Sequence, residues 1–178
     1  MRRPWAVRRW MRDPEHLGRV DVLARTPIFA GLPRRLLGRL AAQLFEKTYL
    51  PGEVIFRQGD PGKGLFVVLA GEVEVLREAG LGSERLAVLR AGSAFGEMAL
   101  IDELPRSATT RAATSTRLLI LYRTHFEALT EGDRAIAVVV MRNLLRTLAG
   151  YVRASNNARQ EPVNRPVAPD DPSAATRS

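Results

Sequence analysis

The stretch between residues 47 and 122 consists of short β-branched and aliphatic runs that are separated by glycine and proline turn signals. These signals read Pro-Gly, Gly-Asp-Pro-Gly, Ala-Gly, Gly-Leu-Gly-Ser and a second Ala-Gly. Closely spaced runs of this kind are typical of strands joined by tight turns, and they predict a β-sandwich or a β-barrel. The predicted strands cover residues 54–56, 65–69, 73–76, 86–89, 108–113 and 117–121.

Helical periodicity precedes this stretch. Between residues 17 and 45 apolar residues recur at helical spacings, and Pro27 and Pro33 interrupt the pattern. A proline interrupts a helix because it lacks the backbone N–H and clashes with the preceding turn. We therefore predict two or three short helices ahead of the strands.

The pattern becomes helical again after the strands. Thr124 is placed to cap a short helix through Leu129, and a longer helix is predicted over residues 133–154. The longer helix carries two apolar stripes, Ala137, Met141, Leu144, Leu148 and Tyr151, and Val138, Met141, Leu145, Leu148 and Val152. Apolar residues that cover so wide an arc of a helix can pack against more than one neighbour. One stripe is predicted to pack on the strands and the other to form a homodimer, the alternative being one broad intramolecular face.

Residues 95–109, FGEMALIDELPRSAT, combine the features of an anion-binding segment. Gly96 lets a ligand approach the backbone closely, and the residues after it can begin a short helix with free N–H groups. Glu97 offers acceptor oxygens for a ligand hydroxyl, whereas Arg106 offers a planar fork of donors for phosphate. Ser107 adds a hydroxyl next to this arginine. Either charged residue taken alone could equally belong to a solvated ion pair.

The same segment, which we call the cassette, closely resembles the phosphate-binding cassette of cyclic nucleotide-binding domains. A second block, PGEVIF followed by Gly-Asp and Gly-Glu-Val, is similar to the early strands of that family. The resemblance implies a mainly β fold, a double-stranded β-helix or jelly-roll type β-roll with N-terminal helices and a long C-terminal helix. It places the cassette between the sixth and seventh strands. It also implies that Glu97 binds the ribose 2′-hydroxyl and Arg106 the cyclic phosphate, with the lining completed by Gly96, Met98, Ala99 and Ser107.

The base of the nucleotide is expected to lie in an apolar pocket. Val75, Leu86 and Leu89 project from neighbouring predicted strands and could line this pocket. Tyr151 on the last helix could stack on the base as a lid, or it could be a core or interface tyrosine. Cyclic AMP is the expected ligand because it is the commoner bacterial signal in the family that the cassette resembles. Cyclic GMP stays the alternative, since a hydroxyl at Ser107 suits both.

The 178-residue chain contains no cysteine and only two histidines. These counts exclude disulfides, thiolate nucleophiles and cysteine metal sites, and His16 and His125 are predicted to be structural or solvated. Jelly-roll enzymes need clustered metal ligands, so we predict neither an enzyme nor a metal cofactor. The longest strongly apolar stretch is too short for a bilayer span and no secretory signal is recognisable, so cytoplasmic residence is the default expectation.

The net charge of +8 is concentrated at the N-terminus, where residues 1–12 contain five arginines, two tryptophans and no acidic residue. The rest of the chain is only mildly basic, which makes DNA an unlikely partner for the domain. This arm is suited to an anionic lipid surface or an acidic protein, and it could also be solvated without a partner. We predict that it tethers the protein reversibly.

Three segments are predicted along the chain: a basic arm at 1–16, a domain at 17–155 and a disordered tail with repeated prolines at 156–178. The expected function is a stand-alone cyclic nucleotide sensor whose terminal helices move on ligand binding and act on an unknown downstream protein. The alternative is a transcription regulator of the catabolite-activator type. That alternative is disfavoured because the segment after the long helix is too short for a helix-turn-helix domain.

Overall fold

The structure, a computed structural model, describes residues 14–80 and 82–160. Within these ranges it contains eight strands, four α-helices and two short 3₁₀ helices. The helices are α1 (Pro14–Arg25), a 3₁₀ helix (Pro27–Phe29), α2 (Arg34–Ala41), a second 3₁₀ helix (Glu97–Leu100), α3 (Arg123–Gly132) and α4 (Arg134–Gln160). The strands are β1 (Phe45–Tyr49), β2 (Val54–Phe56), β3 (Gly64–Ala70), β4 (Val73–Ala79), β5 (Gly82–Leu89), β6 (Ala94–Phe95), β7 (Thr109–Ala112) and β8 (Thr116–Tyr122).

These strands form two four-stranded antiparallel sheets in the orders β1-β8-β3-β6 and β2-β7-β4-β5. The helices precede and follow the strands in the chain, and the long helix α4 comes last. This arrangement confirms the predicted β-roll of jelly-roll type with flanking helices.

Strand β3 separates two apolar cores. Phe66 and Val68 belong to the interior of the roll, whereas Leu65 and Val67 belong to the core under the helices. Successive residues of a strand point to opposite faces, so one continuous apolar run serves both cores. The interior of the roll is formed by Tyr49, Phe66, Val68, Val73, Phe95, Ala112, Leu118 and Ile120.

All six predicted strands are present, and two further strands were not predicted. Strand β1 has the sequence FEKTY and is mostly exposed, so it lacks the apolar run on which the prediction depended. Strand β6 is only two residues long. Gly82 and Ser83, predicted as part of a turn, instead pair with β4 at the start of β5. The cassette lies between the sixth and seventh strands, as predicted.

The helices differ from the prediction at their ends. Helix α3 begins at Arg123 with Tyr122 at its N-cap and no side-chain cap, so the predicted capping role of Thr124 is wrong. In α4 the Asp133 carboxylate accepts hydrogen bonds from the N–H groups of Ala135 and Ile136, at 3.1 and 3.4 Å. This cap explains why the long helix starts where the sequence predicts.

Helix α4 continues past the predicted end at residue 154, so residues 156–160 are helical and not part of a disordered tail. The prolines that motivated the tail begin only at Pro162. Residues 161–178 and most of the predicted arm, residues 1–13, lie outside the described part of the chain.

Helix α4 presents two distinct apolar faces. Ile136, Val140 and Leu144 are buried in the core under the helices, whereas the second predicted stripe is exposed at Val138, Met141, Leu145 and Val152. Only Leu144 of the first predicted stripe is buried, and Met141 and Tyr151 are exposed, so the prediction that this stripe packs on the strands is wrong in its residues. The two stripes therefore do not form one broad intramolecular face. By length and composition alone Arg134–Asn157 could cross a membrane, which the sequence analysis does not predict. Its inward face belongs to the domain core, which accounts for part of this apolar content.

Candidate ligand-binding site

The turn at Gly96 brings the two ends of the cassette together. Gly96 has a φ of 72°, a left-handed conformation that favours glycine, and it immediately precedes the 3₁₀ helix Glu97–Leu100. A Cβ atom at this position would collide with Nη1 of Arg106. The glycine is therefore required both by the backbone conformation and by the close approach of the arginine.

Arg106 is a buried cation with an unused donor. Its side chain reaches back across the cassette, where Nη1 donates to the Gly96 carbonyl at 3.0 Å and Nη2 to the Gly64 carbonyl at 2.9 Å. The guanidinium carbon lies 4.1 Å from the centre of the Phe56 ring. Arg106 is 8% exposed, and its Nε is buried without a hydrogen-bond partner among the described residues.

The electrostatics of Arg106 favour an anionic ligand. Burial lowers the pKa of Arg106, and the charges of Glu97 and Asp60 oppose this effect. Among the described residues, no carboxylate forms an ion pair with Arg106. A buried cation without a bonded counterion is costly, and an anion that accepted from Nε would reduce this cost.

Glu97 lies at the other side of the site, on a cavity of about 450 Å³ between α1, the end of β5 and α4. Its side chain is 7% exposed. Tyr151 of α4 lines the same cavity, and burial, the Glu97 charge and a hydrogen bond to Glu97 raise the pKa of Tyr151 to about 12. Because a neutral tyrosine can only donate to a carboxylate, the Tyr151 hydroxyl uses one of the acceptor sites of the carboxylate that the cassette offers to a ligand.

The cavity contains three of the predicted site residues, Glu97, Leu89 and Tyr151. Sequence reasoning missed Arg25, Ser93 and Thr147, which also line it. These three residues come from an N-terminal helix, a turn after β5 and α4. No local motif marks them, because only the tertiary fold brings them together.

The remaining predicted residues lie outside the cavity lining. Met98 and Ser107 are exposed, and Ala99 is buried against Gly62, where an added Cβ would lie 2.8 Å from the Cβ of Ala99. Val75 is half-buried on β4, and Leu86 is exposed at the bulge where β4 and β5 shift register. The structure therefore does not bring Val75 and Leu86 together with Leu89 at the cavity, and their contact with a base stays a prediction.

The described residues contain no group of three or more metal-ligating side chains. The site therefore consists of a buried arginine, a buried carboxylate on a cavity and a tyrosine from the last helix. This combination of an acceptor and a donor suits a ligand that carries both a hydroxyl and an anionic group.

Comparison with known proteins finds the family model "Cyclic nucleotide-binding domain" matching residues 46–133. The Cyclic AMP receptor protein of Thermus thermophilus is 37% identical over 132 residues, covering 74% of this chain and 59% of the relative. A cyclic nucleotide-gated potassium channel of Rhizobium etli is 34% identical, over 73% of this chain and 35% of the channel.

A solved structure, the N-terminal domain of a transcriptional regulator from Streptomyces coelicolor, is 34% identical with a TM-score of 0.69. The match covers 78% of this chain and 96% of that domain. The chain spans about three fifths of the length of the first curated relatives that it matches, 59% and 60%.

Proposed function

Because this chain belongs to the cyclic nucleotide-binding domain family, we propose that it is a regulatory module that binds cyclic AMP and repositions α4 in response. The observation that carries this proposal is the buried Arg106 guanidinium, whose Nε has no partner among the described residues. An anionic phosphate is the group that such a donor binds most strongly. Cyclic GMP is the alternative ligand, and a catalytic role is not part of the proposal.

Binding would use the two ends of the site for different parts of the nucleotide. Arg106 donates to the cyclic phosphate, and Glu97 accepts from the ribose 2′-hydroxyl. Gly96 immediately precedes Glu97 and allows the arginine to approach the cassette backbone. The exposed Ser107 and Met98 can close on the ligand from the outer side, and Ala99 supports the 3₁₀ helix by packing on Gly62.

Tyr151 connects ligand binding to helix α4. Its hydroxyl donates to Glu97. A ribose hydroxyl would use the same carboxylate, and we propose that it competes with Tyr151 for the accessible oxygen of Glu97. We infer that the ligand releases Tyr151 and allows α4 to move, after which the ring is free to cover the base. The remaining partners are also proposals: an unknown downstream protein in the cytoplasm, and an anionic surface for residues 1–12.

The direct test is calorimetric titration of the purified protein with cyclic AMP, cyclic GMP, cyclic CMP and cyclic UMP. We expect saturable binding with cyclic AMP as the tightest ligand. If cyclic GMP binds most tightly, the proposed binding site stands and cyclic GMP replaces cyclic AMP as its ligand. No binding of any of the four at millimolar concentration would contradict the proposed function.

Glu97→Ala is expected to weaken binding about tenfold, because a hydrogen bond between a ligand hydroxyl and a buried charged group is lost. The variant should also lose discrimination between cyclic AMP and its 2′-deoxy analogue, since the lost contact is to that hydroxyl. Glu103→Ala is the matched control, because Glu103 lies in the same cassette with a side chain that is 87% exposed. Unchanged 2′-deoxy discrimination in Glu97→Ala would assign the hydroxyl to another residue.

Tyr151→Phe is expected to raise cyclic nucleotide affinity about two- to tenfold. The variant keeps the ring but removes the hydroxyl that competes for Glu97, and one such hydrogen bond contributes about 0.5–1.5 kcal/mol. Isothermal titration calorimetry measures the change, with Tyr122→Phe as the control at a tyrosine that packs on Phe45 instead. Weaker binding by Tyr151→Phe would show that the hydroxyl supports the ligand and does not compete with it.

A further inference from the structure

Thr110 of β7 carries the second unpartnered polar atom near the cassette. The residue is 2% exposed, and its hydroxyl oxygen has no hydrogen-bond partner among the described residues. Other buried threonines differ in this respect: the hydroxyls of Thr26 and Thr116 donate to the carbonyls of Val22 and Glu72, at 2.9 and 3.0 Å. A buried hydroxyl without a partner is costly, and valine would fill the same space without this cost.

The strand register places Thr110 inside the roll. On β7 it alternates with Arg111, which forms an ion pair with Glu74 at 2.8 Å, and it shares a face with the buried Ala112. Because alternate residues of a strand point to the same side, the Thr110 side chain is directed into the interior with Ala112.

The neighbours of Thr110 connect it to Arg106. Its register partners are Phe56 on β2 and Val75 on β4. The Arg106 guanidinium lies over the Phe56 ring, at 4.1 Å from its centre. The two unpartnered groups, Nε of Arg106 and the hydroxyl of Thr110, are therefore both adjacent to Phe56.

We propose that the Thr110 hydroxyl donates a hydrogen bond to an oxygen of the ribose cyclic phosphate, beside Arg106. This inference rests on the proposed function. The sugar-phosphate end is favoured over the base because Thr110 and Arg106 share Phe56, and Arg106 is the phosphate donor of the site. A hydroxyl can supply this bond without adding charge to the apolar interior.

Thr110→Val tests the proposal through two measurements with opposite expected signs. Cyclic nucleotide affinity should fall about tenfold, because a hydrogen bond to an anionic oxygen is lost. The melting temperature of the unliganded protein should stay the same or rise, because an unsatisfied buried hydroxyl is removed. Thr110→Ser keeps the hydroxyl and should retain most of the affinity.

Thr116→Val is the matched control. Thr116 is fully buried and its hydroxyl is hydrogen-bonded, so this variant should lower the melting temperature and leave affinity unchanged. The loss in Thr110→Val should be equal for cyclic AMP and cyclic GMP, since both share the sugar-phosphate. Wild-type affinity in Thr110→Val, or a loss that depends on the base, would overturn the proposal while the wild-type protein still binds. Absence of binding by the wild type would instead reject the proposed function.

Discussion

Arg106→Gln is expected to weaken cyclic nucleotide binding about 30-fold or more. Removing one partner of a buried charged contact costs about 2–5 kcal/mol, largely because the other charge stays buried without its partner. The glutamine amide can still donate one hydrogen bond, but it carries no charge to offset the phosphate. Titration calorimetry of folded variant and wild type measures the difference.

Two further variants separate the binding role of Arg106 from its structural role. Arg106 also bonds the carbonyls of Gly96 and Gly64, so each variant needs circular dichroism and a melting curve. Arg106→Lys keeps the charge but loses the fork, and we expect binding between that of wild type and Arg106→Gln. Arg111→Gln removes an arginine of β7 that is paired with Glu74 of the neighbouring strand β4, and this variant should bind normally. A folded Arg106→Gln protein with wild-type affinity would contradict the assignment of the phosphate donor.

Leu145→Glu is expected to convert a homodimer into a monomer. We propose that the exposed stripe of α4 contacts a second copy of the chain. Its apolar residues recur at steps of three and four, so they form one continuous seam along the helix. Leu145 is 67% exposed in the single chain, so a glutamate there does not disturb the core. In the dimer the same charge would be buried against an apolar seam. Sedimentation at tens of micromolar measures the change.

The choice of Leu145 matters because it lies next to the buried face of α4 in the sequence. Leu144 is 1% exposed and belongs to the core, so a charge there would unfold the domain whether or not a dimer exists. Leu50 is the matched control, since it is 68% exposed on a turn away from α4, and Leu50→Glu should remain a dimer. A wild-type protein that sediments as a monomer at this concentration would reject the proposed interface.

The strands were predictable where one residue type repeats locally. The run from Leu65 to Leu69 is apolar throughout because β3 serves two cores, and such a run is visible without tertiary information. Strand β1 is held by its pairing with β8 although its own residues are mostly polar and exposed. Its existence depends on a partner strand 67 to 75 positions away in the chain, which local patterns do not contain.

The residues of the site were likewise predictable only where they lie close together in the chain. The cassette residues Gly96, Glu97 and Arg106 lie close together in the chain, and their chemistry and spacing already predict an anion site. The contributions of Arg25 and Thr147 depend on how the helices pack around the roll. Thr110 adds a different case, because only the structure shows that its hydroxyl lacks a partner.

Asn143 fixes helix α4 to the N-terminal segment at one point along its length. Its side-chain amide donates to the carbonyls of Ile28 and Ala30, at 3.2 and 2.9 Å, and so pins the middle of the helix to the N-terminal segment. With a rise of about 1.5 Å per residue, Tyr151 lies about 12 Å from this point and Gln160 about 25 Å. For a rigid rotation about this point, a lateral shift of about 1 Å at Tyr151 would become about 2 Å at the end of the helix. Under the proposed function, the contact between Tyr151 and Glu97 would therefore convert a small displacement at the cassette into a larger one at the end of the helix.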